Sequence, residues 1–375
     1  MLDNKTISEL YQAFVASPNG FLIVEQGQPS FAVLPYKTYK ALRQSQSHPA
    51  ATQIDKILVT GGAGYIGSHT VKLLREQNYD VIVLDNLSTG RREGVGDAKL
   101  IEGDLADQDL LSRIFGSEKI DAVIHFAASI KVDESVANPA KYYENNVVGG
   151  INLVNAMVKA GVLRLVFSSS AAVYGETLAN PIEEQAVCRP LNPYGETKLC
   201  FENILKWYSG AYGLSSVSLR YFNAAGALPE AGLGYNRSLD HTHLIPRVLD
   251  AALGKTSEIE VFGNDYDTPD GTGIRDYVHV LDLAAAHVLA LQKLDTDSDT
   301  HIYNVGTGQG HSVLEIIDEV MEVTGRMVPM KIGARRAGDP GRLVANSQKI
   351  QRELGWKPEH DLTSIIQSSW DWQKQ

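Results

Sequence analysis

The chain has 375 residues, 43% of them apolar and 21% charged, with 34 basic against 45 acidic side chains and a net charge of −11. That is ordinary soluble composition with chain enough for one large or two average domains, and its acidic balance excludes broad attraction to nucleic acid or an anionic membrane, so a phosphate-bearing ligand must be held by a few placed residues. Two cysteines, Cys188 and Cys200, give neither metal-ligand spacing nor a disulfide framework; with no export signal and no apolar run of membrane length, the expectation is an unexported, cytoplasmic protein without a metal.

In chain order, residues 1–46 stand apart as a short α+β appendage. Thr6 to Ala16 reads as an amphipathic helix, Gly20 to Glu25 and Ser30 to Leu34 as strands around Gly27-Gln28-Pro29, and Tyr36 to Gln44 as a second helix. The pattern resembles the N-terminal part of Phd/YefM-type antitoxins; an incidental extension or a dimerisation tag accounts for the same residues. Residues 47–55, rich in Ser, His, Pro, Ala and Gln around this point, read as a linker.

At Lys56 the pattern changes. The run Lys56-Ile57-Leu58-Val59-Thr60 has strand character, the glycines Gly61, Gly64 and Gly67 follow at G-x-x-G-x-x-G spacing, and an amphipathic segment runs from Ser68 to Glu76. Strand, tight turn and helix in that order offer a dinucleotide pyrophosphate unpaired backbone N–H groups at the positive end of a helix dipole. Gly61 makes the turn, Gly64 lets the backbone approach the phosphates, and Gly67 lets the helix lie close to the strand. Tyr79 to Asp85 reads as a second buried strand ending in an acid about 20 residues after the glycines. A carboxylate there accepts both ribose hydroxyls of the adenosine and repels a 2′-phosphate, so Asp85 points to NAD over NADP.

Further strands are expected at Lys99–Glu102, Ala122–Ala127, Leu163–Ser168 and Ser216–Tyr221, with helices at Asp107–Phe115, Lys141–Ala160 and Pro193–Tyr212. This alternation predicts an α/β fold of Rossmann type, a doubly wound parallel sheet over residues 56–227. After Asn223 prolines and glycines break the rhythm, so residues 228–375 are expected to form a smaller substrate-binding domain, with some segments returning to the first.

Two features meet the glycines at the carboxyl ends of these strands, where an open parallel sheet binds its ligands. Ser168-Ser169-Ser170 ends a strand, and Tyr194-Gly195-Glu196-Thr197-Lys198 opens a helix with Tyr194 and Lys198 on one face. A phenol is a poor base at neutral pH, but a nearby ammonium and a cationic nicotinamide both favour its phenolate. Tyr194 is then the expected general base, with Ser170 hydrogen-bonded to the same substrate oxygen.

The segments TGGAGYIGSHT, VLDNLS, EGDL, HFAA, YYENNV, FSSSAAVYG, NPYGETK, RYFNAAGA and FGNDYDTPDGTGIRDYVHVLDLA together resemble the UDP-glucose 4-epimerases, NAD-dependent members of the extended short-chain dehydrogenases, over Lys56 nearly to the C-terminus. The resemblance implies 4-epimerisation of a UDP-sugar through a 4-keto intermediate, with Tyr194 as base, Lys198 lowering its pKa and holding the nicotinamide ribose, and Ser170 on the sugar 4-hydroxyl. It implies that Tyr65, Ile66, Asp85, Asn86, Asp104, Leu105, Phe126, Ala127 and Tyr221 contact NAD, and that Lys131 and Asn146 lie near its nicotinamide end. On the substrate side it implies Asn223, His243, Leu244, Phe262, Arg275, Arg336 and Asp339, the two guanidiniums clamping the diphosphate with planar hydrogen bonds. A surface ion pair of either arginine with Asp276 or Asp339 is the plainer alternative. His243 stands where some members carry asparagine. Leu343 falls where a bulky aromatic crowds the sugar's 2-substituent in some members, so it either admits N-acetylated sugars or is core packing alone. A homodimer is implied through the helices Lys141–Ala160 and Pro193–Tyr212.

Three other readings compete. Another UDP-sugar, such as UDP-N-acetylglucosamine, UDP-xylose or UDP-glucuronate, differs only at substituents that few side chains meet. Sugar-nucleotide 4,6-dehydratases place an acidic pair just after the strand-terminal Ser or Thr, where this chain has Ala171 and Ala172. A non-catalytic NAD sensor acting through the appendage conflicts with the intact Ser170, Tyr194 and Lys198, and Lys5, Lys37, Lys40 and Arg43 are too few for a nucleic-acid surface.

Overall fold

The computed structural model describes residues 21–25, 28–33, 53–177, 179–238, 243–336 and 339–375. Two compact units divide the chain, Met1–Thr52 and Gln53–Gln375. In the first, strands β1 (Phe21–Glu25) and β2 (Gln28–Val33) pair antiparallel with Phe21 opposite Val33. The helices expected at Thr6–Ala16 and Tyr36–Gln44 lie outside the described residues, as does most of the expected linker.

The second unit is built on a seven-stranded sheet whose ladders are all parallel. Its strands are β3 (Lys56–Thr60), β4 (Asp80–Asp85), β5 (Lys99–Glu102), β6 (Ala122–His125), β7 (Arg164–Ser168), β8 (Ser215–Tyr221) and, later in the chain, β12 (Thr300–Val305). The spatial order is β12-β8-β7-β6-β3-β4-β5. The central strands are apolar throughout because both faces are covered, as parallel sheets require. Ile57, Val59, Val81, Val83, Ala122 and Ile124 point to a core shared with the helices Tyr65–Glu76 and Val280–Thr296. Leu58, Ile82, Leu84, Val123, Leu165 and Phe167 point the other way, against Gln108–Ser117, Gly149–Ala160 and Pro193–Tyr212.

The order reverses between β3 and β6, so loops leaving their carboxyl ends diverge and open a crevice. A smaller layer closes over it. Strands β9 (Asn223–Ala225), β11 (Ile274–His279), β13 (Gly310–Ser312) and β15 (Arg342–Leu343) form one mixed sheet, and β10 (Ile259–Phe262) pairs with β14 (Met330–Gly333). The helices Leu244–Ala252, Val313–Thr324 and Leu362–Lys374 pack beside them around Ile245, Leu249, Ile316 and Ile366.

One expected helix differs. Lys141–Ala160 is split into Pro139–Tyr142, a six-residue π-helical stretch Tyr143–Val148, and Gly149–Ala160. The wider π turn carries Asn146 inward, a distortion that often marks a functional site.

Candidate active site

The glycine turn, Asp85 and Ser170 lie at or just beyond the ends of strands of the large sheet. After Thr60, Gly61 adopts φ +73°, and a Cβ there would lie 2.5 Å from the Ala127 amide nitrogen. Only glycine takes that turn at that distance. Gly64 caps the helix Tyr65–Glu76 without a side chain, leaving its first N–H groups open to the cavity. Gly67 lies so close to the turn that a Cβ would sit 2.3 Å from the Gly61 carbonyl. Gly61 thus makes the turn and Gly67 the close approach that their spacing predicts.

At the end of β4, Asp85 is 8% exposed and accepts from the Ala63 and Leu87 amides at 2.9 and 2.8 Å. Burial pushes its carboxyl upward against those two bonds. Beside it, Asn86 donates to Asp104 at 2.7 Å. A side-chain-free cradle at a helix N-terminus, with a carboxylate at the next strand end, fits NAD by its own chemistry.

After β7, Ser170 is 8% exposed and accepts from the Ala172 amide at 3.1 Å. The helix Pro193–Tyr212 is started by Asn192, which accepts from Gly195 at 2.9 Å, with proline at its first position. That start fixes Tyr194 and Lys198. Tyr194 is 7% exposed, and burial holds its phenol well above the ordinary value, Tyr221 adding to the shift and a hydrogen bond with Ser170 opposing it. Lys198 is 3% exposed, donates to the Ser168 carbonyl at 2.8 Å, and sits 5.9 Å from the Tyr194 ring centre. Burial pulls it down to about 7, with Glu202 opposing. Burial thus favours the neutral form of both groups and works against the phenolate that a nearby ammonium and a cationic nicotinamide are expected to favour.

Glu202, one turn beyond Lys198, accepts from Ser169 at 2.5 Å and meets Arg220 at 2.9 and 2.6 Å. Arg220 also donates to the Tyr174 hydroxyl at 3.0 Å, and Tyr174 to Asn304 at 2.6 Å. This buried network fastens the back of the serine segment. Sequence reasoning missed it, although Tyr194, Lys198 and Glu202 at i, i+4 and i+8 mark one helix face.

The three glycines, Asp85, Asn86, Ser170 and Tyr194 border one cavity of about 1730 Å³, larger than the ~300–1,000 Å³ usual for a single small ligand and roomy enough for two nucleotides. It brings together Tyr65, Ile66, Asp104, Leu105, Phe126, Ala127, Lys131 and Tyr221 with the glycines and Asp85 on one side, and Asn223, His243, Leu244, Phe262, Arg275, Arg336, Asp339 and Leu343 on the other. Of the expected site residues, Lys198 and Asn146 stand behind the lining. Asn146 accepts from the Ser129 amide at 2.7 Å and donates to the Ser129 carbonyl and Thr197 hydroxyl at 3.0 and 3.1 Å. Its side chain thereby ties the loop after β6 to the Tyr194 helix, while Asn145 lines the cavity.

At the substrate end, Arg275 pairs with Asp339, and Arg336 lies 4.1 Å over the Phe262 ring. Asp276 is no partner of theirs: it is buried and accepts from Thr307, Gly308 and Ala345. Ala171 and Ala172 line the cavity where an eliminating enzyme needs acids. Among the described residues no cluster of ligating side chains suits a metal.

Residues 57–306 match the model of the NAD dependent epimerase/dehydratase family. A UDP-glucose 4-epimerase of Halalkalibacterium halodurans is 50% identical over 320 residues, 85% of this chain and 96% of that one. The crystal structure of UDP-glucose 4-epimerase from Brucella ovis in complex with NAD superposes with a TM-score of 0.82 at 48% identity, covering 84% of this chain and 97% of that one. The UDP-Glc/GlcNAc 4-epimerase of Campylobacter jejuni does so with a TM-score of 0.76 at 42% identity, over 85% and 99%. The chain belongs to the NAD-dependent epimerase/dehydratase family, among its UDP-glucose 4-epimerases.

Proposed function

We propose that the protein interconverts UDP-galactose and UDP-glucose by inverting C4 of the sugar through a 4-keto intermediate. The reading rests above all on Tyr194 and Ser170 opening onto a single cavity, with the glycine cradle and Asp85 at one end and Arg275 and Arg336 at the other. NAD, when bound, accepts the C4 hydride and returns it, and its cationic nicotinamide adds the positive charge that a Tyr194 phenolate needs. The turn of Gly61, Gly64 and Gly67 would hold its pyrophosphate, and Asp85 its adenosine ribose. Tyr194 takes the proton of the sugar 4-hydroxyl and gives it back, a service worth about 10²–10⁴-fold in rate. Ser170 hydrogen-bonds the same oxygen. Lys198, braced on the Ser168 carbonyl, stands 5.9 Å from the Tyr194 ring centre, where its charge, when it is protonated, favours the phenolate. Arg275 and Arg336 bind the diphosphate and leave the sugar free to turn.

The test is Tyr194→Phe, which should keep fold and NAD content while losing at least a hundredfold in turnover. Near-normal turnover would remove Tyr194 from the proton transfer.

A second substrate reading is favoured by Leu343, which lines the cavity and packs with Phe222 and Ala345. Leucine there leaves space beside C2 for an N-acetyl group.

A homodimer through the helices Pro139–Ala160 and Pro193–Tyr212 is supported by Trp207, Tyr212, Val148 and Tyr143, exposed by 75%, 54%, 51% and 41%. Exposed large apolar side chains on these helices suit a protein partner, and sedimentation of a monomer at micromolar concentration would contradict the homodimer. No helix among the described residues is long and apolar enough to cross a membrane, and a cytoplasmic location agrees with the two free thiols.

A further inference from the structure

The substrate end of the cavity carries a third guanidinium that the sequence reading passed over. Arg247 stands one turn into the helix Leu244–Ala252, on the face shared with His243 and Leu244, and all three line the cavity with Arg275 and Arg336. Its side chain is half-buried. Among the described residues its guanidinium has no carboxylate partner and donates no hydrogen bond; its neighbour is the Phe262 ring, 5.9 Å away. Arg336 rests on the same ring at 4.1 Å, also with no carboxylate partner among the described residues.

The contrast with Arg335 is informative. That side chain stays outside the cavity lining, pairs with Asp265 at 2.6 Å and stacks on Tyr266 at 4.2 Å. Arg335 thus has its counter-charge within the protein. Two cations sharing one aromatic ring without a counter-charge repel one another, and they face a cavity where an anion relieves that repulsion. Arg275, by contrast, shares its charge with Asp339 and brings the diphosphate only part of a cation. A nucleoside diphosphate ester carries one negative charge on each phosphate, which Arg247 and Arg336 together match.

We propose that Arg247 is a third phosphate-binding cation of the nucleotide site, swinging from Phe262 to the diphosphate of the UDP-sugar. The proposal rests on the reading of this cavity as a UDP-sugar site. Guanidinium suits the task because its planar fork bonds phosphate oxygens in pairs.

The experiment is calorimetric titration of the holoenzyme, as wild type, Arg247→Ala and Arg247→Lys, with UDP and with uridine. Arg247→Ala should weaken UDP about tenfold or more and uridine less than about twofold, and Arg247→Lys should recover part of the loss. The KM for UDP-galactose should rise with the UDP dissociation constant, and the salt dependence of UDP binding should flatten. Equal losses for UDP and uridine would reduce Arg247 to a prop for the Phe262 ring and overturn the proposal. Unchanged UDP binding in Arg247→Ala, with wild type binding normally, would overturn it alone. Wild type that binds no UDP would overturn the site reading and the proposal together.

Discussion

Glu202 and Arg220 face each other through two hydrogen bonds, at 2.9 and 2.6 Å, with 3% and 4% of their side chains exposed. The same carboxylate takes the hydroxyl of Ser169, next to Ser170. A charge so deeply buried is tolerated only while its partner is present.

Glu202→Gln leaves the Arg220 guanidinium buried without a counter-charge and should cost about 3–5 kcal/mol of stability. Denaturant unfolding measures it. A loss below about 1 kcal/mol would mean that water or a neighbour compensates and that the network does not fasten the serine segment.

Lys198 supplies a pH signature. Its ordinary value is 10.5 and burial brings it to about 7, so between these the unfolded chain holds a proton that the folded cofactor-free protein lacks. Stability therefore rises with pH across that window relative to a variant without the amine, and below it the full cost of burying the ammonium is borne. The advantage of Lys198→Met over wild type should be greatest below pH 7 and shrink towards pH 10.5, by at most about 1.4 kcal/mol per pH unit. A pH-independent difference would place the amine in water.

Gly67→Ala tests the cradle. The new methyl would meet the Gly61 carbonyl at 2.3 Å and the Gly62 Cα at 2.8 Å, and both are backbone, so helix and turn must part. The expected cost is about 1–3 kcal/mol, together with loss of NAD from the purified protein. Full NAD content in this variant would contradict the close approach.

Leu343→Tyr should lower turnover of UDP-N-acetylgalactosamine at least tenfold relative to UDP-galactose, because the larger ring fills the space beside C2. An unchanged ratio would leave Leu343 as packing alone.

The parts legible in the sequence are those whose chemistry sits in consecutive residues. The glycine turn, Asp85 at its strand end and the Asn192-capped helix carrying Tyr194 and Lys198 depend on local backbone rules. What stayed hidden depends on distant chain. Residues 300–305 join the large sheet beside β8 from far beyond the break in the alternating pattern. Arg275 and Asp339 are 64 residues apart, and a surface ion pair reads no differently from a phosphate clamp at that range. Asn146 turned inward because of a π-helical stretch that helical periodicity does not announce. The upward push on the Tyr194 phenol could not be read from Y-x-x-x-K, since burial is its main cause and burial is a property of the whole fold.

The most direct measurement is to incubate the purified protein with UDP-galactose in deuterated water, adding no NAD, and to follow UDP-glucose and the hydrogen at its C4 by proton NMR. The expected result is UDP-glucose that keeps protium at C4, because the hydrogen removed there is the one restored. Deuterium at C4, or no product even after NAD is supplied, would contradict epimerisation by internal hydride return at this site.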